Sequence, residues 1–337
     1  MKILAIVKLY AHKNKAGGEL YLHFLLKEFI KDHKINVLIP DQKEIKLYEY
    51  EGINITETNE SDYLKYIEQA DLVISQLDES IKVMRECKKR NTKAMLILHS
   101  YIEYYNEFAK DPDIIKVFNA YHVRDDYIKN LKGQSSVVFP FTDYPELTKY
   151  SCKDLEFRQF ITFVNPTMSK GVDVIFALAE KFPKKLFLIV LGGYYPHLQK
   201  KKNLPNVIYH KTTKNIVNDI YLKSKIVIQP SRFETYGMVA SEAMALGIPV
   251  IVNSKSAGLM ENVGKLSLSA PTPDKEANKR NIKEYFDLIT LLEHKETYTL
   301  WSDYSLLKAK ERYIEQQNQV YNLMRTTVEN MLVNPSD

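Results

Sequence analysis

Along the first half of the chain, short apolar runs alternate with segments in which apolar residues recur every three or four positions. A short continuous run suits a strand buried on both faces, and the three-to-four spacing suits an amphipathic helix. Their alternation predicts parallel strands joined by crossover helices. The predicted strands are Ile3 to Val7, Asn36 to Ile39, Leu72 to Ser75, Ala94 to Leu98, Ile114 to Phe118 and Ser136 to Phe139. Helical spacing runs through Leu20, Leu22, Phe24, Leu25 and Phe29, and again from Ile81 to Lys89. From Thr142 to Phe157 the pattern lapses around Asp143-Tyr144-Pro145, which reads as a linker over 146–157.

A second alternating series then begins. Its strands are Phe160 to Val164, Leu186 to Leu191, Val207 to Tyr209, Ile226 to Ile228 and Ile248 to Val252. Its helices are Val172 to Phe182, a segment around Ile216 to Leu222, and Val239 to Leu246. The pattern predicts an α/β chain with two Rossmann-like domains, 1–145 and 158–305. After Gly264 the strand-like runs stop; Asn278 to Leu292 and Leu306 to Leu332 read as helices, the last (306–332) a closing helix that can pack back on the first domain.

Length agrees with two domains, because 337 residues exceed the ~250–300 that one core usually organises, and a cleft between them is the first place to seek a site. With 45% hydrophobic and 26% charged residues the chain is neither disordered nor fibrous. Cys87 and Cys152 form no CxxC or Cys/His ligand spacing, which argues for a reducing compartment and against a structural zinc site. The first apolar run is too short for a signal peptide and is interrupted by Lys8; no later run reaches the ~18 apolar residues of a membrane span. A cytoplasmic location is expected. The net charge of +5 is mostly lysine, with knots at Lys184-Lys185 and Lys200-Lys201-Lys202. These read as a solvated surface or as attraction to an anionic lipid face or substrate, hence an expectation of peripheral membrane association. Without interleaved aromatic residues they do not suggest nucleic acid. The oligomeric state is left open.

In open α/β sheets ligands bind beyond the carboxyl ends of the strands, which directs attention to four places. Gly17-Gly18 opens a helix after the first strand and reads either as a tight turn or as an anion cradle. It is not the GxGxxG of a nicotinamide site. His99 follows the Ala94 to Leu98 run and reads equally as a sugar-hydroxyl donor or as a histidine satisfied by nearby backbone. Lys170-Gly171 precedes a helix after Phe160 to Val164, where an ammonium and a helix N-terminus could bind a diphosphate together. The segment from Gln229 to Ile251 ends a strand at Pro230, holds Glu234 and Gly237 in a loop, and carries Glu242 in the first turns of a helix. Two carboxylates so placed can face one ligand over the helix start: a carboxylate accepts from sugar or ribose hydroxyls, and the first amides receive phosphate.

Pro230-Ser231-Arg232 with Glu234, the gap to Glu242, Ala243-Met244-Ala245, Gly247, Pro249-Val250 and Gly258-Leu259-Met260-Glu261 resemble the donor-binding signature of GT-B glycosyltransferases, specifically glycosyltransferase family 4. Lys170-Gly171-Val172-Asp173 and Gly17-Gly18-Glu19 match two further stations in order. The resemblance covers residues 1 to about 265. It implies metal-independent, retaining transfer of a sugar from a nucleotide-diphosphate sugar, UDP- or GDP-linked, to a glycan, lipid-linked or other hydroxyl acceptor, with no cofactor. By that resemblance Glu242 binds the ribose, Glu234 the donor sugar, and Lys170 with Arg232 the departing diphosphate. The backbone of Tyr236, Gly237 and Met238 cradles phosphate. Gly17 and Gly18 face the donor, and His99 lies near the transferred sugar.

Two departures follow from the same comparison. Asn165-Pro166 stands where the family has Gly-Arg, removing one phosphate-binding arginine, and Thr235 stands where glycine is common, narrowing the sugar pocket. Asp111-Pro112-Asp113 has the letters of a metal motif but reads as a surface turn. An epimerase, phosphorylase or hydrolase on the same fold, or a non-catalytic nucleotide-sugar-binding subunit, remains the alternative.

Overall fold

The computed structural model of the chain describes all residues except 14–15, 60, 62, 152–157, 193–195 and 334–337. Cys152 and residues 152–157 of the expected linker lie outside the described residues. The chain divides into two compact units, Met1–Phe141 with Gln316–Asp337, and Thr142–Glu315.

The first unit is built on β1 (Lys2–Ile6), β2 (Lys34–Ile39), β3 (Lys46–Tyr50), β4 (Ile53–Glu57), β5 (Leu72–Gln76), β6 (Ala94–Leu98), β7 (Ile114–Phe118) and β8 (Ser135–Val137). They lie in the order β3-β4-β2-β1-β5-β6-β7-β8. β3 pairs antiparallel with β4 and the other neighbours are parallel. Strands β5, β6 and β7 are buried at every position, which explains their largely apolar sequences; Ser75 and Gln76 end β5 as buried polar residues. Lys116 is the exception within β7. Its buried ammonium donates to the carbonyls of Asp111 (2.6 Å), Ile114 (2.8 Å) and Lys132, tying the start of the strand to neighbouring loops. Asp111 is itself buried, accepting from Lys88 at 2.6 Å and from the Asp113 amide at 3.1 Å. The expected surface turn is therefore a turn with an inward-facing carboxylate.

In the second unit the strands are β9 (Phe160–Val164), β10 (Leu186–Val190), β11 (Val207–His210), β12 (Ser224–Gln229), β13 (Val250–Asn253) and β14 (Ser269–Ala270), ordered β11-β10-β9-β12-β13-β14 and all parallel. Alternate residues feed cores on opposite faces: Ile161, Phe163, Ile226 and Ile228 on one, Leu188, Val190, Val227 and Val252 on the other. From β9 the chain moves outward to β10 and β11, then returns to place β12 on the other side of β9. That reversal sets the loops after β9 and β12 side by side, the arrangement at which open α/β sheets bind ligands.

Several boundaries differ from those the pattern predicts. The β3–β4 hairpin was not expected: β3 is exposed or half-buried throughout, so it lacks an apolar run. Its turn, Glu51-Gly52, has φ of 49° and 85°, which belongs to a two-residue hairpin loop. Residues 142–151 are not bare linker, since Tyr144–Leu147 is helical and capped by Asp143, and the segment from Thr142 belongs to the second unit. One helix runs Lys283–Leu291, and the closing helix, Lys295–Val333, begins eleven residues before Leu306. Its first turns hold threonines, serines and aromatic residues, weak helix formers; burial of Tyr298 and packing of Trp301 against the core hold them in helix. The unit boundary falls after Glu315, not at 305. The two-residue β14 was too short for any periodicity to reveal.

Candidate active site

Leaving β9, the backbone turns at Asn165, φ 64°, a left-handed conformation that asparagine tolerates. The loop ends at Gly171, φ 80°, where a Cβ would sit 2.4 Å from the Pro230 carbonyl oxygen. Only glycine lets this loop close against the end of β12. Lys170 thereby meets Glu234: Nζ lies 2.5 Å from Oε2, with the side chains 28% and 16% exposed. Gln229, the last residue of β12, donates from Nε2 to the same oxygen at 3.1 Å, and its Oε1 is buried with no partner among the described residues.

The Glu234 loop is held from behind by the helix Ala257–Val263. A Cβ on Gly258 would lie 2.3 Å from the Glu234 carbonyl oxygen and 2.5 Å from the Thr235 carbonyl carbon, so a bare backbone is required there. Asn262, fully buried, donates from Nδ2 to the carbonyls of Tyr236 (3.2 Å) and Gly237 (3.0 Å). Gly237, φ 95°, caps the helix Met238–Ala245, whose first amides have no carbonyl of their own helix to bond. The side chain of Tyr236 is buried, leaving only its backbone toward the loop.

Glu242 stands in the second turn of that helix, and its Oε2 accepts from the Tyr221 hydroxyl at 2.5 Å. Burial raises its pKa, opposed by the Tyr221 bond. Burial, with Glu242 beside it, holds the Tyr221 hydroxyl well above the ordinary phenol range.

Arg232 is turned away from the role expected of it. Its NH1 and NH2 donate to both oxygens of Asp173 at 2.9 and 2.7 Å, and NH2 also reaches the Pro273 carbonyl at 3.1 Å. Burial pushes Asp173 upward, but the Arg232 bonds and the Ala277 amide (2.7 Å) outweigh it and hold the carboxyl below the usual aspartate range. The guanidinium thus clamps the loop to the helix Val172–Lys181.

Within the first unit, Gly18 and His99 come together through Gln76, the last residue of β5. His99 Nε2 lies 2.8 Å from Gln76 Oε1, and Gln76 Nε2 donates to the Gly18 carbonyl at 2.9 Å. Because that carbonyl can only accept, the amide is oriented and Nε2 of His99 must carry the proton. Burial lowers the His99 pKa to about 4, so the ring is neutral near pH 7 and Nδ1 is an acceptor. A Cβ on Gly18 would press to 3.1 Å on Leu77, whereas one on Gly17 would meet nothing within 4 Å. Of the two glycines, only Gly18 is closely packed by its neighbours.

Residues 155–299 match the family described as Glycosyl transferases group 1. The whole chain is similar in fold to sucrose-phosphate synthase from Thermosynechococcus elongatus (TM-score 0.75, 14% identity, covering 99% of this chain and 100% of that one). It is similar also to Anabaena HepE, solved with UDP and glucose (TM-score 0.70, 13% identity, covering 99% and 100%). In sequence it resembles the O-antigen biosynthesis glycosyltransferase WclY of Escherichia coli, 19% identical over 288 residues, 75% of this chain and 80% of that protein. The fold is GT-B. Lys170, Arg232, Glu234 and Glu242 lie within the matched residues 155–299.

Sequence reasoning missed Gln229 and Gln76, although each closes an apolar strand run at its carboxyl end, where a lone amide is a readable signal. Asp173 and Gly258 are letters of the motif whose roles, holding Arg232 and making room for Glu234, only the fold reveals. Tyr221 and Asn262 gave no signal, because their roles depend on which helix faces them. Among the described residues no group of three or more His, Cys, Asp or Glu could hold a metal ion, and no helix is long and apolar enough to cross a membrane.

Proposed function

We propose that the protein is a retaining, metal-independent glycosyltransferase of the family 4 type, moving a sugar from a UDP- or GDP-sugar to a hydroxyl of a glycan or lipid-linked acceptor. The observation that carries this reading is the Lys170–Glu234 pair beside the start of the helix Met238–Ala245. Glycosyl transfer must stabilise an oxocarbenium-like centre and a departing diphosphate. An ammonium ~4 Å from that phosphate contributes up to ~4 kcal/mol at an effective dielectric of 20. In the free protein Glu234 holds the Lys170 ammonium; donor phosphate exchanges for that carboxylate, releasing Glu234 to accept from the sugar hydroxyls. The backbone from Thr235 through Tyr236, Gly237 and Met238 receives phosphate at the helix start. Glu242 accepts from the ribose while Tyr221 holds its other oxygen in place.

Arg232 keeps the loop in shape through Asp173, so Lys170 carries the diphosphate charge that the missing family arginine would share. His99 serves as an acceptor for a sugar hydroxyl through Nδ1, and Gly18 admits backbone close to it. The named ligands of HepE favour UDP, the WclY likeness favours a glycan acceptor on a biosynthetic route, and the lysine-rich surface favours an acceptor at the cytoplasmic face of a membrane.

The test is nucleotide release from a panel of UDP- and GDP-sugars with and without glycan or glycolipid acceptors, in the presence of a chelator, with product anomeric configuration read by NMR. Acceptor-dependent release with retained configuration is expected. Inverted product overturns retention, loss of activity with chelator overturns metal independence, and release indifferent to every acceptor makes the protein a hydrolase.

A further inference from the structure

Gln229 ends β12 on the face that Val227, two residues earlier, gives to the apolar core of Ala240, Met244 and Leu259. It is buried, and its amide lies flat against the start of the helix Met238–Ala245: a Cβ on Gly237 would sit 3.4 Å from both Nε2 and Oε1. Nε2 donates to Glu234 Oε2 at 3.1 Å, while Oε1 has no partner among the described residues. An ionised carboxylate only accepts, so the amide nitrogen must face it and the amide oxygen must face away. A buried carbonyl without a partner is costly, and an apolar side chain of the same length would fill this place without that cost. Packing therefore does not account for a glutamine here. The Glu234 carboxylate supplies the other half of the observation. Lys170 Nζ and Gln229 Nε2 both donate to Oε2, and among the described residues Oε1 of Glu234 accepts no hydrogen bond.

We infer that Gln229 is a positioning residue for sugar transfer: by holding Oε2 of Glu234 it presents Oε1 to a hydroxyl of the donor sugar while Lys170 serves the diphosphate. The inference rests on the donor reading given under the proposed function. The two groups that hold Oε2 differ in kind. An ammonium is a cation that a diphosphate attracts strongly, whereas a carboxamide is neutral and is attracted little. When donor phosphate draws Lys170 away, Glu234 keeps one anchor, and that anchor belongs to a strand flanked by β9 and β13 rather than to a loop. A carboxylate held by one oxygen from a fixed backbone has its other oxygen in place before the sugar arrives, which spares the reaction the ordering of its acceptor. Neither methionine nor glutamate of similar length can do this. The first has no donor, and the second donates only while its carboxyl carries a proton.

Gln229→Met keeps the length of the side chain and removes the donor. It is expected to lower kcat with the UDP- or GDP-sugar that the wild-type chain uses at least about tenfold, to change the calorimetric Kd of UDP or GDP less than about twofold, and to leave the melting temperature equal or higher. Gln229→Glu should show a pH profile that the wild type lacks: its kcat relative to wild type falls as pH rises between about 5 and 8, because two neighbouring carboxyls share a proton only toward acid pH. Unchanged kcat in Gln229→Met overturns the inference. A fall in melting temperature together with loss of nucleotide affinity makes Gln229 a purely structural residue and overturns it too. A crystal structure of Lys170→Met tests the contact without turnover. Glu234 should keep its bond to Gln229 after the ammonium is gone, and should leave that place in Lys170→Met with Gln229→Met; a carboxylate that swings away in Lys170→Met alone overturns the inference. If the wild-type chain transfers sugar from no UDP- or GDP-sugar, the donor reading falls, and the Lys170→Met structure still decides whether Gln229 holds Glu234.

Discussion

Lys170 and Glu234 are 64 positions apart in the chain and 2.5 Å apart in space, and each was singled out in the sequence for a separate task. Their contact engages one of the three N–H groups of the ammonium with the carboxylate. Lys170→Ala and Glu234→Ala are each expected to lower turnover at least ~tenfold while leaving thermal stability nearly unchanged, because a part-exposed pair contributes little to folding. Near-normal rates in either variant would sink the assignment. Asp173 behaves differently, being buried beneath the Arg232 guanidinium. Asp173→Asn should cost about 2–4 kcal/mol in urea unfolding at neutral pH, since it leaves a cation half-compensated. The pH dependence gives its sign. Asp173 is depressed in the folded state, so its contribution is present above the ordinary aspartate pKa and is lost as pH falls through the lower folded value. The variant should therefore lose part of the acid limb of the stability profile. Glu242 has the opposite sign: raised by burial, it contributes most below the ordinary glutamate pKa and loses that contribution as pH rises through its folded value. A carboxylate kept where folding at neutral pH does not favour it suits a group retained for binding.

At the scale of elements, two glycines decide whether the loops can meet. Gly171→Ala must place a Cβ at positive φ against the Pro230 carbonyl, and is expected to cost about 2–3 kcal/mol together with most of the activity. Gly258 has no such backbone constraint, yet a Cβ would press directly on the Glu234 carbonyl. Gly258→Ala should therefore displace the loop and cut kcat at least ~tenfold with a smaller loss of melting temperature than Gly171→Ala. Equal losses of stability in the two variants would contradict this division. Buried elements were legible because a strand covered on both faces is largely apolar, as β6 is throughout and β7 and β9 are apart from Lys116 and Thr162. The exposed β3 edge and the first turns of the Lys295 helix were not, since long-range packing and a two-residue turn hold them rather than local pattern.

For the molecule as a whole, the donor reading assigns the nucleotide to the unit Thr142–Glu315. UDP or GDP at about one hundred times its Kd should stabilise that unit by ~2.7 kcal/mol. Hydrogen exchange should record the protection in residues 230–245 and around Lys170; protection confined to the first unit would refute the assignment. The sequence by itself determined the two α/β series and the buried strands after which Lys170 and Glu234 follow, because apolar periodicity is a local property. Only the tertiary structure decided that Arg232 serves Asp173, that His99 spends its one proton on Gln76, and that Asn262 and Gly258 shape the Glu234 loop. Those outcomes depend on which polar atom finds a partner across elements distant in sequence, and a buried polar group takes whichever partner the packing of the sheet presents.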